Sequence, residues 1–459
     1  MKKRSNKPID IEPARDAGEA RAMAAARRAY RIARERLHEA RDPSASKAAY
    51  EAVWEATDDV GQVIVEAVEE KEADEDPDSF VEQDGTKWVC VTHDESTYDT
   101  LRCSFRLPRK RYRSVRNGKT RCLFEERRGV MSRRIMPDLG EAMLRTYASV
   151  PGEEAARLIS LLTGHVVSSS RLKRFVKLEA AEMEAQEEAF FDAELAEPDV
   201  PEKAKTLVIS VDALSLLLRE EKWKQATVGT LTFLDEEGEP LRRGSGIRTI
   251  RMGEMPEDGK ATIMDRVEKE VGAFVKQRPD LELEVLIDGA LDLRIHLLER
   301  FPDARHLTDF YHVVEHMSKA LRLLFPDETR RAEERARWCH KLKHKSGTPW
   351  RLWRWLKDEL KREDDPVAPW AAAEIDKHAE YIYNQRQWLK YPQAVAANAA
   401  IGSGPVEAAC KTLVTQRLKI SGASWSRPGA GGVLYLRSLM QSDRFECAFR
   451  FRQQTRYAA

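Results

Sequence analysis

Leu207-Val208-Ile209-Ser210-Val211-Asp212 is an apolar run closed by a carboxylate. Its aliphatic and β-branched residues predict a buried strand, and a buried strand has little reason to end in a charge unless that charge meets water, a partner or a metal. The same design recurs at Leu283-Glu284-Val285-Leu286-Ile287-Asp288. Between the two runs, β-type segments cover Ala226–Leu234 and Arg248–Met252, with turn chemistry at Asp235-Glu236-Glu237-Gly238. Ile263, Val267, Val271 and Phe274 then mark one face of a helix. Beyond Asp288 the pattern gives a helix over Leu291–Arg300 and a short strand, Arg305-His306-Leu307-Thr308-Asp309.

Three meandering strands followed by alternating helices and parallel strands is the order of an α/β RNase H-like fold, a mixed five-stranded sheet flanked by helices. In such a sheet the first and fourth strands are neighbours, so Asp212 and Asp288 are expected to face each other near the strand ends. A third carboxylate, Glu407, lies in the first turn of a helix expected after Ile401-Gly402-Ser403-Gly404-Pro405. Glu behind Pro at a helix start is also ordinary dipole complementation, worth under ~1 kcal/mol. Carboxylates that converge from separate elements can hold two magnesium ions, the equipment for breaking and making phosphodiester bonds. Without a cation they would repel and shift one another's pKa.

The chain divides, on pattern, into a helical N-terminal arm (1–76), a basic β-containing segment (77–135) and a helical, helix-turn-helix-like segment (136–200). The first part of the core (201–317), an all-α insertion (318–400), and the core completion with a basic tail (401–459) follow. Asp42-Pro43-Ser44-Ala45-Ser46 supplies a turn and a cap within the arm. The acidic run Glu72–Asp78 predicts a solvated linker.

The 77 basic and 77 acidic residues cancel, but they are not evenly spread. Leu101 to Arg134 holds 13 Lys or Arg against Glu125 and Glu126, whereas Glu66 to Asp84 holds ten acidic residues and one Lys. Segregated charge makes a local field that the total conceals. Arg109, Lys110, Arg111, Arg113, Arg116 and Lys119, interleaved with Phe105, Tyr112 and Phe124 near the Asn117-Gly118 turn, suit phosphate contact and stacking, or a solvated hairpin face. Arg171, Lys173 and Arg174 give the second helix of the helix-turn-helix-like pair a cationic face. Trp353 and Arg354 belong to a tryptophan-rich stretch that suits either the core of a helical domain or stacking on a base.

Six scattered cysteines without a CxxC pair predict reduced, structural thiols. No apolar run is long enough to span a bilayer, and the basic start Met1-Lys2-Lys3-Arg4 leads into polar residues rather than a secretory signal, so a cytoplasmic protein is expected.

Ser210-Val211-Asp212, Ile287-Asp288-Gly289-Ala290, Asp309-Phe310-Tyr311-His312 and above all Ile401-Gly402-Ser403-Gly404-Pro405-Val406-Glu407-Ala408-Ala409-Cys410-Lys411 resemble the DDE transposases of the Kra-type bacterial insertion sequences. The resemblance runs on through Gln416-Arg417-Leu418-Lys419 and Ser421-Gly422-Ala423-Ser424-Trp425-Ser426 and covers roughly residues 140 to 445. It implies a metal-binding triad of Asp212, Asp288 and Glu407 holding two Mg2+ or Mn2+ ions, with Asp309 in support and His312 helping proton transfer. It also implies double-stranded DNA as partner, Lys411, Arg417 and Lys419 as further DNA contacts, and a homo-oligomer that pairs two DNA ends. Where relatives carry Gly after the first Asp, this chain has Ala213, and Cys103 and Cys122 stand alone where relatives have paired cysteines.

Two other readings stay open at this level. A transposase-derived regulator would keep the fold and bind DNA without catalysis. His312-Val313-Val314-Glu315-His316 also fits the H-x-x-E-H zinc peptidase pattern, although five-residue patterns often arise by chance.

Overall fold

The computed structural model describes residues 13–243, 246–255, 260–362 and 367–457, so the basic start of the chain lies outside the described residues. The chain forms two compact units, residues up to 179 together with the segment from 449 onward, and residues 180–448.

In the first unit, α1 (Ala17–Glu39) and α2 (Pro43–Asp74) make the expected hairpin. The Asp42 carboxylate caps α2 by accepting the Ser44 and Ala45 N–H groups, both at 2.9 Å, and Pro43 occupies the first turn, where no N–H is needed. A four-stranded sheet follows in the order β1 (Ser79–Val81), β2 (Lys87–Asp99), β3 (Ser104–Ser114), β4 (Thr120–Arg121), all antiparallel. The long β2–β3 hairpin turns at Thr100–Cys103, and Asn117-Gly118 makes the shorter turn into β4, with Gly118 at φ +69°. Tyr98, Phe105, Leu107 and Phe124 fill the core under this sheet, Phe124 from α3 (Leu123–Arg128).

The acidic run is not a solvated linker. Helix α2 takes in its first three residues, ending at Asp74, and Arg128 pairs with Glu69 and Glu72, Arg127 with Asp76, Arg121 with Glu82 and Glu126, and Lys110 with Asp78. Part of the basic stretch, Lys110, Arg121, Arg127 and Arg128, is neutralised because the chain folds it onto the acidic one. Beyond them stand α4 (Pro137–Ser149), α5 (Gly152–Thr163) and α6 (Ser169–Ala185), with Gly164 at φ +74° ending α5.

The second unit is built on a five-stranded mixed sheet within a chain that is 58% helical. After α7 (Glu187–Glu194), β5 (Thr206–Leu218) and β6 (Lys222–Leu234) pair antiparallel, the two-stranded β7 (Arg242–Arg243) and β8 (Gly246–Ile247) form a side hairpin, and β9 (Thr249–Glu254) pairs with β6. Then α8 (Ala261–Gln277), β10 (Glu282–Ile287), α9 (Leu291–Arg300) and β11 (Arg305–Thr308) alternate, with β10 parallel to both β5 and β11. The sheet order is β11-β10-β5-β6-β9. Ile209, Val211, Leu231, Val267, Phe274, Val285 and Leu297 pack one face of this core.

Asp212 is therefore not the end of its strand. Residues Thr206 to Val211 are covered on both faces, which gives the unbroken apolar run, whereas beyond Leu214 exposed and buried residues alternate up to Leu218. The run marks where two-sided burial stops.

Helices α10 (Phe310–Leu324), α11 (Glu328–His344), α12 (Thr348–Glu359), α13 (Pro369–Gln385) and α14 (Tyr391–Ala396) form an all-α layer that begins directly after β11, eight residues before the expected boundary at 318. Met317, Leu321, Trp338, Leu352, Leu356, Ile375 and Ile382 are buried in its core. The chain returns to the sheet through α15 (Gly404–Ala409), a π-helical turn (Cys410–Thr415) and α16 (Gln416–Leu418), then closes with α17 (Arg427–Gln441) and α18 (Phe445–Thr455). No helix among the described residues is long and apolar enough to cross a membrane.

Candidate active site

Parallel pairing sets Ile209 opposite Val285 and Val285 opposite His306. Three residues further along each chain stand Asp212, Asp288 and Asp309. The shared register thus carries three aspartates to one level across β5 and the ends of β10 and β11. The Asp212 Oδ1 atom accepts the Ala213 N–H at 2.7 Å, and Asp288 Oδ1 accepts the Ala290 N–H at 2.9 Å, which fixes both carboxylates against their own backbone.

Glu407 and Cys410 come to this row from the other end of the unit. The Cys410 thiol donates to Asp212 Oδ2 at 3.4 Å. Glu407 stands three residues earlier, on the same face of the helix. A π-helical turn starts at Cys410, a local distortion that occurs often at functional sites. Burial pushes the Asp212 carboxyl above its usual range, with the Asp288 charge adding to the rise. Burial likewise raises Glu407, and the Asp309 and Asp212 charges add to it, while His312 offsets part of the rise in both. Burial raises the Cys410 thiol as well, reinforced by Asp212.

Asp309 is 1% exposed and tied on both sides. Its Oδ1 atom caps α10 by accepting the His312 N–H at 2.7 Å, and its Oδ2 atom accepts the Ser403 N–H just before α15. The Phe310 N–H also donates to Ile401 O at 2.8 Å. A single buried carboxylate therefore sets the start of both helices that carry His312 and Glu407.

Behind the row lies a buried polar network. Arg294, 2% exposed, donates to Leu307 O at 3.1 Å and Thr308 Oγ1 at 2.8 Å; Thr308 Oγ1 donates to Gln385 Oε1 at 3.1 Å, and Gln385 Nε2 to Gly289 O at 3.2 Å. The Tyr381 ring lies so close to Gly289 that a Cβ there would sit 2.5 Å from Tyr381 Cε2. Glycine is needed beside Asp288 for this contact.

The donor set of three carboxylates is hard oxygen, which suits Mg2+ or Mn2+ rather than zinc. Among the described residues, no group of three or more His, Cys, Asp and Glu side chains is spaced to hold an ion as it stands. The fit therefore rests on donor type and on the burial, added to by neighbouring carboxylate charge, that raises Asp212 and Glu407, a condition a divalent cation relieves. In the H-x-x-E-H stretch, Glu315 pairs with Lys319 at 2.7 Å, while the His316 ring stacks on Tyr381 at 3.8 Å and its Nδ1 lies 3.1 Å from His378 Nδ1.

The expected DNA contacts separate into two groups. Arg109 is 5% exposed and held by Asp94 and Glu125, so it is a core cation. Arg417, 2% exposed, lies 4.8 Å over the Trp425 ring and faces no solvent. Trp353 donates to Glu380 at 3.1 Å and packs on Tyr383, which makes it part of the helical core rather than a stacking platform. Lys110 is taken by Asp78 and Asp76 O, and Arg171 by Asp99 at 2.8 Å. Arg111, Arg113, Arg116, Lys119, Lys173, Arg174, Lys411 and Lys419 are exposed. Arg354 is exposed too, with its guanidinium 5.4 Å over Trp350 rather than beside Trp353.

Sequence reasoning missed Cys410, whose only signal was its position three residues after Glu407, and Arg133-Arg134, counted within the basic stretch without a role. No family model matches the chain, and no curated protein matches it.

Proposed function

We infer that this chain processes phosphodiester bonds of duplex DNA in a metal-dependent way, as a DDE transposase that nicks the ends of an insertion sequence and transfers the strand. The observation that carries this reading is the level row of Asp212, Asp288 and Asp309, met from a distant helix by Glu407 and Cys410. The strand order, with three antiparallel strands and two parallel ones added beside the first, supports an RNase H-like core. The motif resemblance around Glu407 supports the same reading independently.

Asp212, Asp288 and Glu407 would hold two Mg2+ or Mn2+ ions, whose chemistry when bound is to stabilise the attacking and leaving oxygens of an in-line phosphoryl displacement. Asp309 fixes the helix starts that carry His312 and Glu407 and is a positioning residue. His312, in the first turn of α10 and near enough to Asp212 and Glu407 for its charge to act on both, would assist proton transfer. Pairing of two DNA ends calls for more than one copy of the chain, and the exposed Tyr30 and Trp54 on the α1–α2 hairpin suit a contact between copies. Work on DNA fits the cytoplasm.

The test is nicking of a plasmid that carries the DNA flanking the coding region. Nicking should require Mg2+ or Mn2+ and fall at least about a hundredfold in Asp288→Asn, with DNA binding retained. Equal nicking by that variant would overturn the reading; binding without any nicking by the wild type would favour a non-catalytic regulator.

A further inference from the structure

Arg133 and Arg134 occupy the centre of a tight turn with φ of +63° and +59°. Such turns prefer Asn-Gly or Asp-Gly, because a Cβ is strained at positive φ. Two adjacent arginines here are held by their surroundings. Met131 N donates to Ile135 O at 2.8 Å, both flanking side chains are buried, and Ser132 N donates to the buried Glu179 carboxylate at 2.8 Å. Strain kept in place by an over-determined frame points to a use for the side chains it presents.

The turn lines a cavity of about 710 Å³ within the first unit. Of its other cations, Arg109 is neutralised by Asp94 and Glu125, Arg171 by Asp99 and Arg456 by Glu179. Arg111, Arg133 and Arg134 make no ion pair within 4 Å among the described residues, and Asp94, whose carboxylate feels Arg111 and Arg134, is already paired with Arg109. Three guanidinium groups around one cavity match the oxygens of a phosphate. Arg113 lies on the same exposed face of β3 as Arg111, and Arg116 and Lys119 follow in the adjoining turn, so the cationic track continues beyond the cavity. A track suits a polymer of phosphates better than a single one.

We propose that the Arg111, Arg133 and Arg134 cavity is a backbone-phosphate site for duplex DNA, from which the bound strand runs along Arg113, Arg116 and Lys119. It rests on the reading above only in taking DNA as the partner. The residues carry no base-reading geometry, so the contact sets position rather than sequence.

The test uses the full chain with Arg133→Gly and Arg134→Gly combined. Glycine takes positive φ without strain, so this variant should unfold at the same temperature or higher. Its affinity for a fluorescent 30-base-pair duplex, measured by anisotropy in EDTA, should fall about tenfold, and the slope of log affinity against log salt should drop by about 1 to 2. The Arg133→Lys, Arg134→Lys pair should recover the slope but only part of the affinity, since lysine lacks the fork. An unchanged slope and affinity in a folded glycine variant would overturn the proposal. Metal-dependent nicking alongside that result would leave the function proposed above standing; a lowered slope with no nicking by any form would instead remove the catalytic reading and keep this site.

Discussion

The Asp309 carboxylate accepts the backbone N–H of Ser403, 94 residues away, while capping its own helix through His312 N. Asp309→Ala would leave two N–H groups, one of them on the buried Ser403, without their charged acceptor. We expect a loss of about 2–4 kcal/mol, read from the urea midpoint, with Asp309→Asn losing less. An alanine variant as stable as the wild type would show that the carboxylate does not tie the two helices.

Gly289 and Tyr381 are close enough that any side chain at 289 displaces the ring. Gly289→Ala should cost about 1–3 kcal/mol. Combining it with Tyr381→Ala should recover part of that cost relative to the sum of the single changes, because the ring that clashes is gone. Strict additivity would mean that the two positions do not touch.

Burial first, then the His312 and His378 charges, push His316 down to about 4. The unfolded chain binds this proton near its ordinary value of 6.5 and the folded chain does not. Its contribution is therefore present above pH 6.5 and is lost as the pH falls towards 4. His378, lowered as well, acts in the same sense, whereas the raised carboxyls of Asp212 and Glu407 act in the opposite one. The informative quantity is the difference between wild type and His316→Phe, which keeps the stack on Tyr381. The variant should lose less stability between pH 7.5 and 5, as read by denaturant midpoints, and identical losses would refute the assignment.

Arg417 separates structural arginines from those offered to DNA. Buried over Trp425, it should cost about 2–4 kcal/mol as Arg417→Ala. In the variant that remains folded, the salt dependence of DNA binding should be unaltered. A reduced salt slope would return Arg417 to the DNA surface.

The main elements of each unit were legible because their signals are local. The apolar runs before Asp212 and Asp288, the helical face from Ile263 to Phe274 and the Asp42-Pro43 cap each depend on a few neighbouring residues. The end of β5 was not legible, because the change from two-sided to one-sided burial depends on what covers the sheet. Nor was the fate of the acidic stretch, since nothing local to Glu69 or Asp76 specifies that Arg128 and Arg127 will meet them.

Sequence alone determined the order of the core strands and helices, though not every boundary, and the equal spacing that brings Asp212 and Asp288 level once their strands pair, because periodicity and register are properties of the backbone. Tertiary structure alone decided that Asp309 joins two helices, that Cys410 touches Asp212, and that Arg109 and Arg417 are buried while Arg133 and Arg134 are displayed. Those outcomes turn on which distant surfaces exclude water from a side chain, and that is settled only when the whole unit packs.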